Sequence, residues 1–282
     1  MTRIALLGTG LLGSGFADGL LARGGTDLTV WNRTPSKAAV FAVRGARVAV
    51  SAADAVKDAE FVHLVLLDDA TVDATIRACQ PGLATGAIVI DHTTNSPAGT
   101  AIRGRELEAA GVSYLHAPVF MSPAAARNAQ GTMMVAGSAA LFERARAHLT
   151  PMTGALWYLG ERPDLAAAMK LFGNAMILMT SAGLADVFHM ADSLGVPRAD
   201  AFGLFDRFKV EPGMIVRGTK IVEENYTATF TLETARKDLR LMLDAAADQP
   251  VPLLSALAER MDAVIAAGNG GLDMAVLAKR GV

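Results

Sequence analysis

Lys170 and Asn174 stand four residues apart, and a helical turn would project both side chains from one face. An ammonium and an amide so placed suit a carbonyl group: the lysine can hand a proton to the carbonyl oxygen while the asparagine fixes an oxygen by hydrogen bonding. The lysine lies in Leu165-Ala-Ala-Ala-Met-Lys-Leu-Phe172, where little polar surface is on offer. Acid–base work requires its pKa to fall from the ordinary ~10.4, and desolvation or a neighbouring cation would lower it. A second constellation, Gly8-Thr9-Gly10-Leu11-Leu12-Gly13, has the form G-x-G-x-x-G between an apolar run and a helical pattern. Gly8 permits a tight turn, Gly10 lets the backbone approach a pyrophosphate, and Gly13 allows close helix–sheet packing. The helix that Leu11 and Leu12 open offers N–H groups and a positive dipole end to phosphate.

About 20 residues beyond such a loop, a carboxylate would accept a hydrogen bond from a ribose 2′-hydroxyl. Trp31-Asn32-Arg33-Thr34 holds none. Arg33 instead presents a planar charged fork, with Lys37 one turn further on, and both favour a 2′-phosphate. The expected cofactor is NADP(H) rather than NAD(H).

The elements that must position these residues alternate. Strands are expected at Ile4–Leu7, Asp27–Trp31, Ala46–Val50, Phe61–Leu67, Ala87–Asp91 and Val112–Ala117. Helices are expected between them at Leu11–Arg23, from Pro35 to about Val43, at Ser51–Ala59, at Asp69–Cys79, and from Ser96-Pro97 to near Gly111. This alternation implies a doubly wound, Rossmann-type parallel sheet with helices on both faces. After Gly160 the pattern becomes helical throughout, beginning with one long segment from Asp164 to Leu194. The expected division is an α/β cofactor domain over 1–162 and an all-helical domain over 163–282.

Composition narrows the class. The chain has 282 residues, is 52% hydrophobic and 19% charged, and carries a net charge of −2, which excludes a disordered chain and gives no general basic surface for nucleic acid. Cys79 is the single cysteine, so a reducing cytoplasm is expected and an intrachain disulfide is excluded. No histidine or carboxylate pair has metal-motif spacing such as H-E-x-x-H, and no metal is expected. The apolar stretch Ala175–Ala191 carries Asp186 and His189, which suits a buried interdomain or subunit-interface helix better than a bilayer span. A homodimer or homotetramer is expected from it.

Beyond the two constellations, Asp91-His-Thr-Thr-Asn-Ser-Pro97 and Phe230 with Lys237-Asp238-Leu239 complete four ordered landmarks, through which the chain resembles the β-hydroxyacid dehydrogenases over nearly its whole length. The resemblance implies an enzyme that passes hydride between a nicotinamide cofactor and an alcohol/carbonyl pair, a hydroxyacid above all. It implies Lys170 as the catalytic acid–base group and Asn174 as its substrate-binding companion. It places Thr94 near nicotinamide and substrate, Leu66 and Leu67 along the nicotinamide, and Asn32-Arg33-Thr34 on the NADP side. Phe230 and Lys237 border the substrate, Lys237 closing over the cofactor.

One segment departs from the family pattern. Where members carry A-P-V-S-G-G, whose serine and glycine backbone contact a substrate carboxylate, this chain reads Ala117-Pro-Val-Phe-Met-Ser-Pro-Ala124. Ser122 is the candidate displaced serine, and Pro123 has no backbone N–H to donate. Gly173, where asparagine is frequent, is expected to widen the site beside Lys170, and with Phe120 and Met121 suggests a bulkier or more apolar substrate. His92 and His116 are further candidates for substrate contact. An imine reductase on the same architecture is the nearest alternative, disfavoured by retention of lysine; a non-catalytic dinucleotide-binding module is the other.

Overall fold

The computed structural model describes residues 1–281. Its first compact unit spans Met1–Asn174 and its second Ala175–Val282. In the first, six strands lie in one parallel sheet of order β3-β2-β1-β4-β5-β6: β1 (Thr2–Leu7), β2 (Thr26–Trp31), β3 (Arg47–Val48), β4 (Phe61–Leu64), β5 (Ile88–Asp91) and β6 (Ser113–His116). Helices α1 (Leu11–Arg23), α2 (Pro35–Ala39), α3 (Ala52–Val56), α4 (Asp69–Cys79) and α5 (Pro97–Ala109) connect them. Strand order reverses between β1 and β4, which leaves a crevice at their carboxyl ends where doubly wound sheets bind ligands.

Strand periodicity explains the two cores. Ile4 and Leu6 face one side with Leu28, Val30, Ile88 and Ile90, while Ala5 and Leu7 face the other with Val62, Leu64 and Val89. A strand buried on both faces needs apolar residues at every position, hence the unbroken run Ile4–Leu7. Truncating a fully buried member such as Leu6 to alanine would cost about 2–5 kcal/mol.

A small mixed sheet follows, of order β7-β8-β9: β7 (Val119–Phe120) pairs antiparallel with β8 (Thr132–Val135), and β8 pairs parallel with β9 (Ala155–Tyr158). Between them lie α6 (Pro123–Arg127) and α7 (Ala139–Leu149). The purely parallel arrangement expected from the alternation does not extend this far. The seat of α6 is written into α1: a Cβ on Gly15 would lie 2.3 Å from the Pro123 carbonyl oxygen, and one on Gly19 2.9 Å from that of Arg127.

Helix α8 (Leu165–Ser193) begins in the first unit and continues into the second, so the division between units falls inside it. The second unit continues with α9 (Arg198–Arg207), α10 (Glu211–Val222), α11 (Leu232–Ala246) and α12 (Pro252–Val264). Leu232, Leu239, Met261, Val264 and Val276 form its core. The polar residues of α8 serve this unit. Buried Asp186 accepts the Leu254 N–H at the start of α12 (2.9 Å), and His189 Nδ1 donates to the Pro250 carbonyl (2.5 Å). Expected at an interdomain or subunit interface, α8 is largely exposed in the single chain, with Phe172 63% and Leu178 70% accessible. By length and composition it could also cross a membrane.

Candidate active site

The glycine loop has the geometry its composition requires. Gly8 adopts φ +103°, and a Cβ there would meet the Val65 carbonyl oxygen at 2.2 Å. A Cβ on Gly13 would sit 1.9 Å from the Gly8 carbonyl oxygen, so only glycine lets α1 close against the turn. Gly10, by contrast, faces open space and is the N-cap of α1 with no side-chain cap. The first N–H groups of this helix therefore await an acceptor, the condition a pyrophosphate satisfies.

A cavity of about 680 Å³ opens in front of the loop, lined by Gly8, Gly10, Arg33, Lys37, Leu66 and Leu67 among others. Arg33 and Lys37 are exposed, and neither is ion-paired to a carboxylate among the described residues. Asn32 is committed within the chain: its Oδ1 accepts the Thr9 N–H (3.0 Å) and its Nδ2 donates to the Thr34 carbonyl (3.0 Å). It fastens the glycine loop to the end of β2. Thr34 occupies the N-cap position of α2 without a side-chain capping bond, leaving its hydroxyl free of that duty.

The loop after β5 is held by a carboxylate that sequence reasoning passed over. Asp91, fully buried, accepts from Thr93 N (2.9 Å), Asn95 Nδ2 (2.7 Å) and the Tyr114 hydroxyl (2.9 Å). Arg103 lies 3.9 Å from it and ties Asp69 (2.8 Å) and Asp73 (2.6 Å) into the same network. Asp69 in turn accepts the Ser96 N–H (2.8 Å), and Thr93 Oγ1 accepts the Leu66 N–H (3.0 Å). Burial pushes the Tyr114 hydroxyl pKa well up, so it stays a donor. His92, Thr93 and Asn95 are all buried, while Thr94 alone of this stretch is exposed. The network aims one threonine outward.

The two histidines proposed for substrate contact turn inward. His92 Nδ1 donates to the Ala117 carbonyl (2.7 Å), and its Nε2 meets His63 Nδ1 (2.8 Å). His63 Nε2 meets His148 Nε2 (2.7 Å), which completes a row of three rings. His116 donates from Nε2 to the Thr93 carbonyl (3.0 Å). Both His92 and His116 are structural, reached by partners 23 to 29 positions away that no local pattern reveals. Cys79 is likewise buried, its thiol pushed up to about 11 by desolvation, and is no nucleophile.

Lys170 is half-buried, and burial pushes its ammonium pKa down. Its Nζ lies 4.1 Å from the centre of the Phe120 ring, and no ion pair joins it to a carboxylate among the described residues. Such a cation–π contact stabilises the charged form by about 0.5–2 kcal/mol. Asn174 follows one turn along α8, also half-buried. Gly173 does not widen the site as expected. A Cβ there would fall 2.2 Å from Phe120 Cζ, so the ring tip fills the space that glycine leaves. Ser122, candidate heir to the carboxylate-binding serine, is the N-cap of α6, its Oγ accepting the Ala125 N–H (3.1 Å).

The remaining predicted residues belong to the helical unit. Phe230 is partly buried against that unit's core, its N–H 3.4 Å from Asp273 Oδ2. Burial opposes the charge on Asp273, yet hydrogen bonds from Thr229, Ala275 and Phe230 bring its carboxyl down to about 2. Lys237 on α11 is 55% exposed and paired with Asp238 at 2.5 Å.

Residues 3–160 match the family model for the NAD binding domain of 6-phosphogluconate dehydrogenase, and residues 165–280 match that for the NAD-binding domain of NADP-dependent 3-hydroxyisobutyrate dehydrogenase. Among similar curated proteins, the 3-sulfolactaldehyde reductase of Escherichia coli is 29% identical, covering 98% of this chain and 95% of its own. Glyoxylate/succinic semialdehyde reductase 2 of Arabidopsis thaliana, chloroplastic, is 28% identical over 91% of this chain and 73% of its own. Among solved structures, an imine reductase from Myxococcus stipitatus in complex with NADP+ superposes with a TM-score of 0.88 at 25% identity, covering 98% of each chain.

Proposed function

We propose that this chain, which belongs to the β-hydroxyacid dehydrogenase family and is an NAD(P)-dependent oxidoreductase, reduces an aldehyde or ketone to its alcohol with NADPH, Lys170 serving as the proton donor. The observation that carries this reading is the state of Lys170: half-buried, lowered in pKa by desolvation, one helical turn from Asn174, and paired with no carboxylate among the described residues. The cofactor supplies hydride. As negative charge develops on the substrate oxygen, an Nζ–H of Lys170 is transferred to it, and in the reverse direction the neutral amine takes the hydroxyl proton. Asn174 donates an amide hydrogen bond that holds an oxygen of the substrate in register with that transfer. Thr94, turned outward by the Asp91 network, is assigned to the substrate and nicotinamide edge. Leu66 and Leu67 offer an apolar wall to the nicotinamide, while Arg33 and Lys37 take the 2′-phosphate. Phe230, Lys237 and Ser122 are assigned secondary parts in substrate binding.

The names of the relatives point the same way, toward glyoxylate, succinic semialdehyde and sulfolactaldehyde as carbonyl substrates of those proteins. The likeness to an imine reductase raises a second reading, favoured by the apolar ring beside Lys170. A protonated imine would carry its positive charge to within reach of an ammonium, and that repulsion favours the neutral carbonyl. The apolar exposure of α8, α9 and α10 supports a homo-oligomer, and the single buried cysteine suits the cytoplasm. Lys170→Met should abolish NADPH oxidation by every aldehyde tested and leave fluorescence titration with NADPH unchanged. Substantial turnover by this variant, or wild-type reduction of a cyclic imine faster than any aldehyde or ketone, would overturn the proposal.

A further inference from the structure

Three glycines, two on helices and one in the turn before β8, lock the segment that carries Phe120. Gly131, at φ +82°, has no Cβ to strike the Phe120 carbonyl oxygen (2.4 Å) or Met121 Cγ (2.9 Å). Gly173 on α8 receives the ring tip, with Cζ, Cε1 and Cε2 at 2.2, 2.7 and 3.1 Å from where its Cβ would be. Gly15 on α1 receives the Pro123 carbonyl at 2.3 Å. The backbone is also paired, Phe120 opposite Thr132 in the β7–β8 ladder, and Ser122 caps α6. The ring therefore has a built socket. It packs with Leu159 and Met169 against buried Met134, Ala136 and Ala166.

The outcome is an aromatic face lying on one flank of the Lys170 ammonium at 4.1 Å. The face of a phenyl ring is electronegative, attracting cations and repelling anions. A carboxylate approaching Lys170 from this flank would have to displace a ring held by that socket, whereas an alkyl or aryl group can pack beside it.

We infer that Phe120 determines the substrate class of this enzyme: the accepted carbonyl compounds carry an uncharged alkyl or aryl substituent on the side that borders the Phe120 ring, and no carboxylate there. The inference rests on the reading of Lys170 as proton donor and narrows it, away from the acid-bearing aldehydes for which the relatives are named. Gly173 belongs to the same device, as the notch that lets the ring reach the lysine.

The test compares kcat/KM for phenylacetaldehyde and for succinic semialdehyde, with NADPH, in the full-length enzyme. Wild type should favour phenylacetaldehyde at least tenfold. Phe120→Ser, which removes the ring and leaves a hydroxyl, should reduce that ratio at least tenfold. Gly173→Ala, which forces the ring out of its notch from the other side, should lower kcat/KM for phenylacetaldehyde at least tenfold with KM for NADPH unchanged. It keeps the inference testable if Phe120→Ser fails to fold. A wild-type preference for succinic semialdehyde, or a ratio that moves less than twofold in both Phe120→Ser and Gly173→Ala, overturns the role of Phe120 while leaving Lys170 in place. A wild-type enzyme that oxidises NADPH with no aldehyde or ketone at all overturns the underlying reading instead.

Discussion

Acidification should strip stability from this protein through the row of partly buried His148 and buried His63 and His92. The hydrogen bonds fix one tautomer for each neutral ring. The Ala117 carbonyl only accepts, so His92 carries its proton on Nδ1 and offers the Nε2 lone pair to His63 Nδ1–H. His63 Nε2 is then an acceptor, and His148 must donate from Nε2. Folding thus requires three neutral imidazoles. Desolvation holds His92 and His148 neutral down to about pH 4 and pushes His63 well down from its ordinary value of 6.5. Below pH 6.5 the unfolded chain binds protons that the folded one refuses, so the contribution is complete above 6.5, declines through the interval, and is gone for His92 below about 4. At about 1.4 kcal/mol per pH unit, His92 alone is worth about 3 kcal/mol at pH 7. Near pH 5 His92 and His148 together predict a slope of about 2.5 kcal/mol per pH unit, to which His63 adds in the same direction, large against a total stability of about 5–15 kcal/mol. Urea unfolding followed by tryptophan fluorescence between pH 7 and 5 measures it. His148→Phe, which retains the stacking on Phe61, should reduce the slope by about 1.4 kcal/mol per pH unit, the carboxylates cancelling in the comparison. A wild-type slope below that figure, or equal slopes in the two proteins, would refute the neutral row. So would a nitrogen NMR spectrum showing His63 protonated on Nε2 at pH 7.

The remaining predictions concern the cofactor and the assembly. Arg33→Ala with Lys37→Ala should raise KM for NADPH at least tenfold and leave KM for NADH within about twofold, since each cation contributes a charge-assisted contact of about 1.5–3 kcal/mol only to the 2′-phosphate; equal losses for both cofactors would remove these residues from recognition. Light scattering at micromolar concentration should give a mass at least twice the 29.4 kDa of one chain. Leu178→Glu, at an exposed position on α8, should shift it toward the monomer, and a monomeric wild type would dispose of the interface role of that helix.

What could be read directly in the chain was whatever immediate neighbours decide. The glycine loop is of this kind: the positive φ at Gly8 and the close approach at Gly13 are imposed by residues within the motif and by the strand beside it. The spans of α1 and α4 also lay in the sequence, because Gly10 and Asp68 open them and Arg23 and Cys79 are followed by turn residues. Asp68 caps α4, accepting the Thr71 N–H at 2.8 Å. Strand ends were less legible: β3 has two residues where five were expected, because it lies at an edge with only β2 to pair with.

The catalytic surroundings escaped a local reading for a different reason. A glycine in a list of residues means missing volume, and next to a reactive lysine missing volume suggests room for a larger substrate. In the folded chain that volume is already claimed by Phe120, whose position depends on a β7–β8 pairing and on Gly131 and Gly15. The two departures from the family pattern, a phenylalanine gained in one segment and an asparagine lost in another, are therefore one change rather than two. Each carries a cost alone: the ring would collide with any side chain at position 173, and Gly173 without the ring would leave a gap against Lys170. This coupling fixes the sign of a double-mutant cycle. Phe120→Ser in a Gly173→Ala background should cost less activity than Phe120→Ser in the wild type, because the alanine has already displaced the ring that serine removes.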